Sequence, residues 1–254
     1  MKKYILSLLV LISLSSVEAS ISIVSDLDDT IKITNSGQQV DRTINAFFTG
    51  QVFTGIPEFY QGTRAYAGAV HVVSASPTVL RSKILTTLHK KNIKIDSLTL
   101  KSLVSRETKL VYKVKAITKI MEASSDDFIL IGDDVGQDPE VYDALLQLYP
   151  NRILGSYIHV INGRKIPESS VPYYSTFDLL LREYAAGRMA KEAVEKGVEL
   201  LKKESKMELI FPFFAQCPKT PAVWLWQVPT VFVTDALALT AKFNLHCLAR
   251  RSSN

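Results

Sequence analysis

The feature that most constrains the fold of this chain is a set of apolar runs that end in acidic residues. Phe128 to Ile131 is a continuous apolar run that leads into Gly132-Asp133-Asp134, and Ile21 to Val24 leads through Ser25 into Asp26. Such runs are typical of strands buried on both faces of a parallel sheet. Because a sheet of this kind needs helices on both faces, the chain is expected to alternate strands with helices.

The same patterns predict the other elements. Strands are expected at 69–73, within 93–100 and at 152–161, and helices after Pro77, at 111–121, from Asp138 and at 177–201. Ser76 is a good N-cap and Pro77 a good first residue for the first helix. The alternation predicts an α/β fold with a Rossmann-like, doubly wound parallel sheet.

The N-terminus has the features of a leader. Lys2 and Lys3 precede an apolar run, and a small-x-small sequence ends at Ala19. This pattern predicts a signal peptide at 1–19, with the mature chain beginning at Ser20. The protein is therefore expected to be exported, either to a periplasm or to the medium.

The rest of the chain is expected to divide into a domain and a tail. Residues 20–206 form the predicted domain, in which 35–66 is interpreted as a small cap or flap over the site. Residues 207–254 form a tail without an assigned role. Asp235 argues against a membrane span at 222–240, since a carboxylate would then lie within the bilayer.

Composition excludes some classes of protein. The 254 residues are 47% hydrophobic and 22% charged, which is ordinary for a globular protein. A net charge of +5 slightly favours anionic substrates but does not indicate a nucleic-acid partner, and no protein partner is indicated. Two cysteines, Cys217 and Cys247, are too few for a cysteine zinc site, and they are either disulfide-bonded or free thiols.

Polar side chains follow three predicted strands. Asp26 and Asp28 follow the first strand, Ser74 follows another, and Asp133 and Asp134 follow a third. Open α/β sheets bind ligands at the edge where these strands end. Carboxylates facing one crevice repel each other unless a cation lies between them, and oxygen ligands suit Mg²⁺. The sequence therefore predicts a Mg²⁺ site at this edge.

The order of these motifs resembles that of the haloacid dehalogenase superfamily of phosphatases. Asp26-Leu27-Asp28-Asp29-Thr30 matches its D-x-D-x-T motif, Ser74 its second motif, and Gly132-Asp133-Asp134 its acidic motif. More narrowly, 26–32, 74–77 and 132–142 look like the catalytic domain of the actin-patch phosphatidate phosphatase family. The resemblance covers roughly residues 21 to 161.

This resemblance implies catalytic roles. Asp26 would attack phosphorus to form an aspartyl-phosphate, and Asp28 would act as general acid and then general base. Ser74 would hydrogen-bond the phosphoryl group, near the dipole of the helix expected after Pro77. Lys113 is the preferred lysine of the third motif, and Lys109 and Lys115 are the alternatives.

The resemblance also implies a set of metal ligands. Mg²⁺ would be held by Asp26, the backbone carbonyl of Asp28 and Asp133. A further carboxylate is either Asp134, where many family members have serine, or Asp138, which could instead cap its helix. Thr30 and Asp29 would support the loop.

Three functions are compatible with this motif set. The first is hydrolysis of a phosphomonoester, with phosphatidate or a related phospholipid, which can be membrane-borne, as one substrate and soluble phosphomonoesters as the alternative. The second is phosphotransfer to an alcohol. The third, a binding module that keeps the fold without catalysis, is disfavoured because Asp26, Asp28 and Asp133 are all present.

Overall fold

A six-stranded parallel sheet organises the protein. The computed structural model describes residues 20–35, 50–218 and 228–252, so the predicted signal peptide lies outside the described residues. The strands are β1 Ile21–Ser25, β2 Ala67–Pro77, β3 Ser97–Lys101, β4 Asp127–Asp133, β5 Ile153–His159 and β6 Val171–Tyr173. Their order is β3-β2-β1-β4-β5-β6, and each neighbouring pair is parallel. The predicted doubly wound α/β fold is confirmed.

Helices cover both faces of this sheet. They are α1 Ile56–Thr63, α2 Arg81–Lys90, α3 Lys109–Glu122, α4 Asp138–Leu148, α5 Thr176–Ala185, α6 Lys191–Lys203 and α7 Val233–Ser252. Helices α3 and α4 pack on one face, where Ile117 and Leu145 join Val24 and Leu130 in one apolar cluster. The other helices contribute to a larger cluster on the opposite face.

Two predictions about helices are wrong. No helix begins at Ser76 and Pro77 in this described segment, because β2 continues through Pro77 and a 3₁₀ turn at Thr78–Leu80 precedes α2. The predicted helix over 177–201 is divided into α5 and α6 at Gly187, whose φ of 72° lies in the left-handed region that favours glycine.

The segment interpreted as a flap contributes to the core. Phe53, Phe59 and Tyr60 are buried in the larger apolar cluster, so residues 50–66 form part of a layer under the sheet. Their aromatic character reflects this packing. Residues 36–49 lie outside the described residues, and a flap there stays a prediction.

The described part of the tail packs on the same core. Phe211, Phe232 and Phe243 are buried in the larger cluster, and Cys217 and Cys247 form a disulfide with their Cα atoms 5.7 Å apart. Residues Thr230–Ser252 are long and apolar enough to cross a membrane, with 28% of their most apolar window buried. Asp235 in this stretch forms an ion pair with Lys202, at 2.8 Å.

The strand order creates a crevice between β1 and β4. Connections from these two neighbouring central strands lead to opposite sides of the sheet, which leaves a gap at their carboxyl ends where ligands bind. Asp26 directly follows β1, and its backbone N–H donates to the carbonyl of Ile131 in β4, at 2.8 Å. Asp133 is the last residue of β4. The fold thus places both carboxylates at one edge.

Candidate active site

Three buried carboxylates meet at this edge of the sheet. Asp26, Asp133 and Asp138 each offer an oxygen, and these oxygens all lie within 4.8 Å of one another. Asp26 and Asp133 come from the ends of adjacent strands, and Asp138 is the first residue of α4. Asp138 is fully buried, while Asp26 retains 6% exposure.

Lys113 binds two of these carboxylates. Its Nζ donates to Oδ1 of Asp26 at 2.7 Å and to Oδ1 of Asp138 at 2.5 Å. Burial alone would lower the pKa of Lys113, but the carboxylates of Asp138, Asp26 and Asp133 raise it above its usual range. Lys113 is therefore a fixed cation at this site.

One lysine does not neutralise three carboxylates. Burial raises the pKa of Asp26 from 3.8 to about 7, Lys113 opposes this effect, and the charges of Asp138 and Asp28 add to it. Burial and the charges of Asp138 and Asp26 likewise raise the pKa of Asp133. An oxygen-only donor set with excess negative charge fits a divalent cation, which would allow all three groups to ionise.

Asp134 and Asp138, the two candidates for a further carboxylate beside the cation, have different surroundings. Asp134 points away from the cluster: its carboxylate accepts the backbone N–H groups of Ile161, Asn162 and Arg164, at 2.7, 2.6 and 2.9 Å. Asp138 lies in the cluster and does not cap its helix, since Gln137 occupies the N-cap. The geometry therefore favours Asp138 over Asp134 as a group beside the cation.

Gly132 makes room for Asp138. A Cβ atom at position 132 would lie 2.5 Å from Oδ2 of Asp138, closer than real contacts allow. Any larger residue would displace this carboxylate or the strand. The glycine before the acidic pair is thus a packing requirement of the site.

Two serines at the end of β2 face Asp28. The hydroxyl of Ser76 donates to Oδ2 of Asp28 at 2.6 Å, and the hydroxyl of Ser74 lies 3.4 Å from the same oxygen. The sequence predicts a helix cap at Ser76, but the structure places this residue in β2 beside Asp28. Its only sequence signal is its spacing of two residues from Ser74, which puts both side chains on one face of a strand.

The loop after β1 is held from several sides. Asp29 has a φ of 60°, and its carboxylate accepts the backbone N–H groups of Thr34 and Asn35, both at 2.9 Å. The hydroxyl of Thr30 donates to Asp133 at 3.3 Å. His159 Nδ1 lies 2.8 Å from the carbonyl oxygen of Asp29. These contacts fix the position of the carboxylates on the loop.

The other lysines have different positions. Lys109 is exposed at the start of α3, and Lys115 pairs with Glu107 at the surface, where 68% of its side chain is exposed. Lys32, which carried no predicted role, is 4% exposed. Burial lowers the pKa of Lys32, and the charge of Asp28 opposes that shift. Lys113 is thus the candidate lysine that the structure brings to the carboxylates.

Solved structures with some similarity are distant. A chain of the Pnkp1/Rnl/Hen1 complex is 17% identical with a TM-score of 0.43, over 62% of this chain and 47% of that one. A phosphoserine phosphatase from T. onnurineus is 10% identical with a TM-score of 0.37, over 61% of this chain and 90% of that one. The fold is therefore assigned from the strand order of the sheet and not from these similarities.

Sequence comparison is more specific. An uncharacterized protein of Schizosaccharomyces pombe is 28% identical over 149 residues, which is 54% of this chain and 25% of that protein. The chain thus spans about a quarter of the length of this relative. Residues 21–160, more than half of the 254-residue chain, match the family model described as phosphatidate phosphatase APP1, catalytic domain. The matched range contains the three carboxylates of the cluster and Lys113, and the chain belongs to this phosphatase family.

Proposed function

We propose that this protein is a Mg²⁺-dependent phosphatase that hydrolyses a phosphomonoester through an aspartyl-phosphate on Asp26. The observation that carries the proposal is the buried Asp26 carboxylate, held by Lys113 beside Asp133 and Asp138, with Asp28 two residues away. Membership of the family supports phosphatidate or a related phospholipid as substrate, and soluble phosphomonoesters are the alternative.

The first step is attack by Asp26. A carboxylate oxygen forms a bond to phosphorus while the bond between phosphorus and the leaving oxygen breaks. Asp28 donates a proton to the leaving oxygen, so the alcohol departs neutral. Lys113 binds Oδ1 of Asp26, which restricts rotation of the nucleophile and offsets charge on the phosphoryl oxygens.

The second step is hydrolysis of the aspartyl-phosphate. Asp28, now a carboxylate, accepts a proton from a water molecule that attacks phosphorus. Phosphate leaves, and Asp26 regains its carboxylate. Ser76 orients Asp28 through both steps by donating to its Oδ2 atom, at 2.6 Å.

The cation site uses the same residues. Asp26, Asp133, Asp138 and the backbone carbonyl of Asp28 would hold Mg²⁺. The bound ion would supply positive charge between the nucleophile and the phosphate, which otherwise repel each other. The excess negative charge of the buried carboxylates supports this assignment.

The first prediction concerns activity. The protein should release phosphate from at least one compound of a panel of phosphatidate, lysophosphatidate and soluble phosphomonoesters when Mg²⁺ is present. Chelation should abolish release, and Asp26→Asn should lower it by at least about 10³-fold because the nucleophile is lost. Asp127→Asn, at the other end of β4, is the matched control and should retain activity. Release that survives Asp26→Asn, or no release by the folded wild type, would contradict the proposal.

The second prediction concerns stability without the cation. Because the pKa of Asp26 rises from 3.8 to about 7 on folding, its protonated form favours the folded state, and this contribution is lost as pH rises through about 7. At pH 8 in chelator, Asp26→Asn should therefore raise the melting temperature by about 2–5 °C. Wild type should gain stability on addition of Mg²⁺, whereas the variant should gain much less. Calorimetry with Asp127→Asn as control checks this, and destabilisation by Asp26→Asn in chelator would overturn it.

The third prediction concerns Ser76. Ser76→Ala removes a hydrogen bond to the carboxylate of Asp28 and should lower kcat by about tenfold or more, with little change in KM. Ser76→Thr keeps the hydroxyl and should recover most of the activity. Ser97→Ala is the control, because Ser97 is similarly half-buried and its hydroxyl contacts His71 instead. Equal effects of the Ser76→Ala and Ser97→Ala changes would argue against orientation of Asp28.

The fourth prediction concerns location. We propose that the protein is exported, and the disulfide between Cys217 and Cys247 supports this, since such bonds persist in oxidising compartments. Protein recovered from the extracytoplasmic fraction should begin at Ser20 and show no free thiol before reduction. N-terminal sequencing and thiol titration test both points. Retention of residues 1–19, or two reactive thiols, would count against export.

A further inference from the structure

Helix α7 has an apolar surface that faces away from the domain. Ala236, Leu239, Phe243 and Cys247 form its buried face. The exposed positions between Val233 and Ala249 are also apolar apart from one threonine: Val233, Thr234, Leu237, Ala238, Ala241, Leu245, Leu248 and Ala249. Soluble surface helices carry polar residues on the outward face, and α7 departs from this pattern because it is apolar on both faces.

Three of the four charged side chains of α7 point towards the domain. Asp235 pairs with Lys202 at 2.8 Å, and Lys242 Nζ donates to a backbone carbonyl at the end of α6, at 3.1 Å. Arg250 donates to the carbonyl of Ala215, at 2.8 Å. These contacts leave the outward face between Val233 and Ala249 without charged groups among the described residues. Arg251, in the last turn of α7, is exposed, and its guanidinium donates to the carbonyl of Pro218.

The outward face is an apolar stripe that half-buried Asn244 interrupts. With 100° between successive residues, its exposed positions occupy an arc of about 160° along the helix. Leu237, Leu245 and Leu248 are 65, 67 and 63% exposed. Three leucines that remain in solvent on one side of the helix, spaced two turns and then one turn apart, indicate a surface that fits an apolar partner.

This stripe belongs to a helix at the catalytic end of the sheet. The ring of Phe243 lies 5.8 Å from the ring of Tyr174. The carbonyl oxygen of Tyr174 is 3.4 Å from Nε2 of His159, whose Nδ1 lies 2.8 Å from the carbonyl of Asp29. A short chain of contacts thus joins α7 to the loop that carries Asp26 and Asp28.

We propose that the outward face of α7 binds the surface of a phospholipid bilayer, with the helix parallel to the membrane. A stripe over residues 233–249 is about 25 Å long and about 10 Å wide and offers about 250 Å², whereas a stable protein interface needs about 800 Å² from each partner. A bilayer demands no complementary shape and accepts an apolar helix face at its hydrocarbon boundary.

The ion pair of Asp235 and the hydrogen bonds of Lys242 and Arg250 favour this peripheral contact over a membrane span. A spanning helix would have to detach Asp235, Lys242 and Arg250 from their partners and bury their charges in hydrocarbon. A helix on the surface keeps these contacts and inserts only its leucines. The membrane contact itself is independent of catalysis, but its use to bring lipid phosphate to Asp26 rests on the proposed function.

The test compares two triple variants of the whole protein. One carries Leu237→Gln, Leu245→Gln and Leu248→Gln. The matched control carries Leu103→Gln, Val104→Gln and Leu148→Gln, at positions that are 66, 87 and 60% exposed elsewhere on the surface. Flotation with phosphatidylcholine vesicles, with and without phosphatidate, measures binding, and hydrolysis of p-nitrophenyl phosphate measures the active site.

Wild type and control should float with both kinds of vesicle, and the α7 variant should bind at least about tenfold more weakly. Its activity on p-nitrophenyl phosphate should be unchanged, so loss of binding is distinguished from failure of the phosphatase assignment. Wild type that does not float, or an α7 variant that floats as well as the control, would overturn the proposal. A wild-type dimer in sedimentation that the α7 variant converts to monomer would assign the face to a second copy instead.

Discussion

The buried amine of Lys113 holds the site together. It joins Asp26, at the end of β1, to Asp138, at the start of α4, and comes from α3. The buried residues Lys113, Ile117 and Met121 recur every four residues, so they lie on one face of α3, and the lysine continues an apolar stripe to the edge of the sheet. Because removal of one partner leaves buried charges uncompensated, the amine fixes three elements relative to each other.

The negative charge that Lys113 leaves uncompensated produces a site that fits a divalent cation. The fold brings carboxylates together at the switch point between β1 and β4, where main-chain geometry, not charge, decides their positions. Asp29 shows how this geometry is maintained. It has a φ of 60°, its carboxylate accepts the backbone N–H of Thr34, and its carbonyl oxygen contacts the His159 ring. Rigid loops of this kind hold groups in an arrangement that is unfavourable without a ligand and favourable with one.

Sequence patterns predict the parts of this protein that depend on residues close to each other in the sequence. Runs such as Phe128–Ile131 identify the strands, and their carboxyl ends identify the edge that binds ligands. Contacts between distant residues carry no such signal. Ser76 before Pro77 matches a helix cap, although its partner, Asp28, is 48 residues away. Asp134 and Asp138 differ only in the direction that the loop and α4 give them, and the pairing of Cys217 with Cys247 follows from how the tail packs.

The tail extends the catalytic domain. The family match ends at residue 160, but Tyr173, Phe177 and Phe211 share one apolar cluster with Ile23 and Ile131 of the central strands. Residues beyond the match therefore complete the layer on one face of the sheet. Charged side chains of α7 contact this layer, whereas its leucines face outward. Leucines exposed to water in this way do not stabilise the protein. The apolar face therefore suits a partner, and under the proposed function a lipid substrate would place such a partner within reach of the same domain.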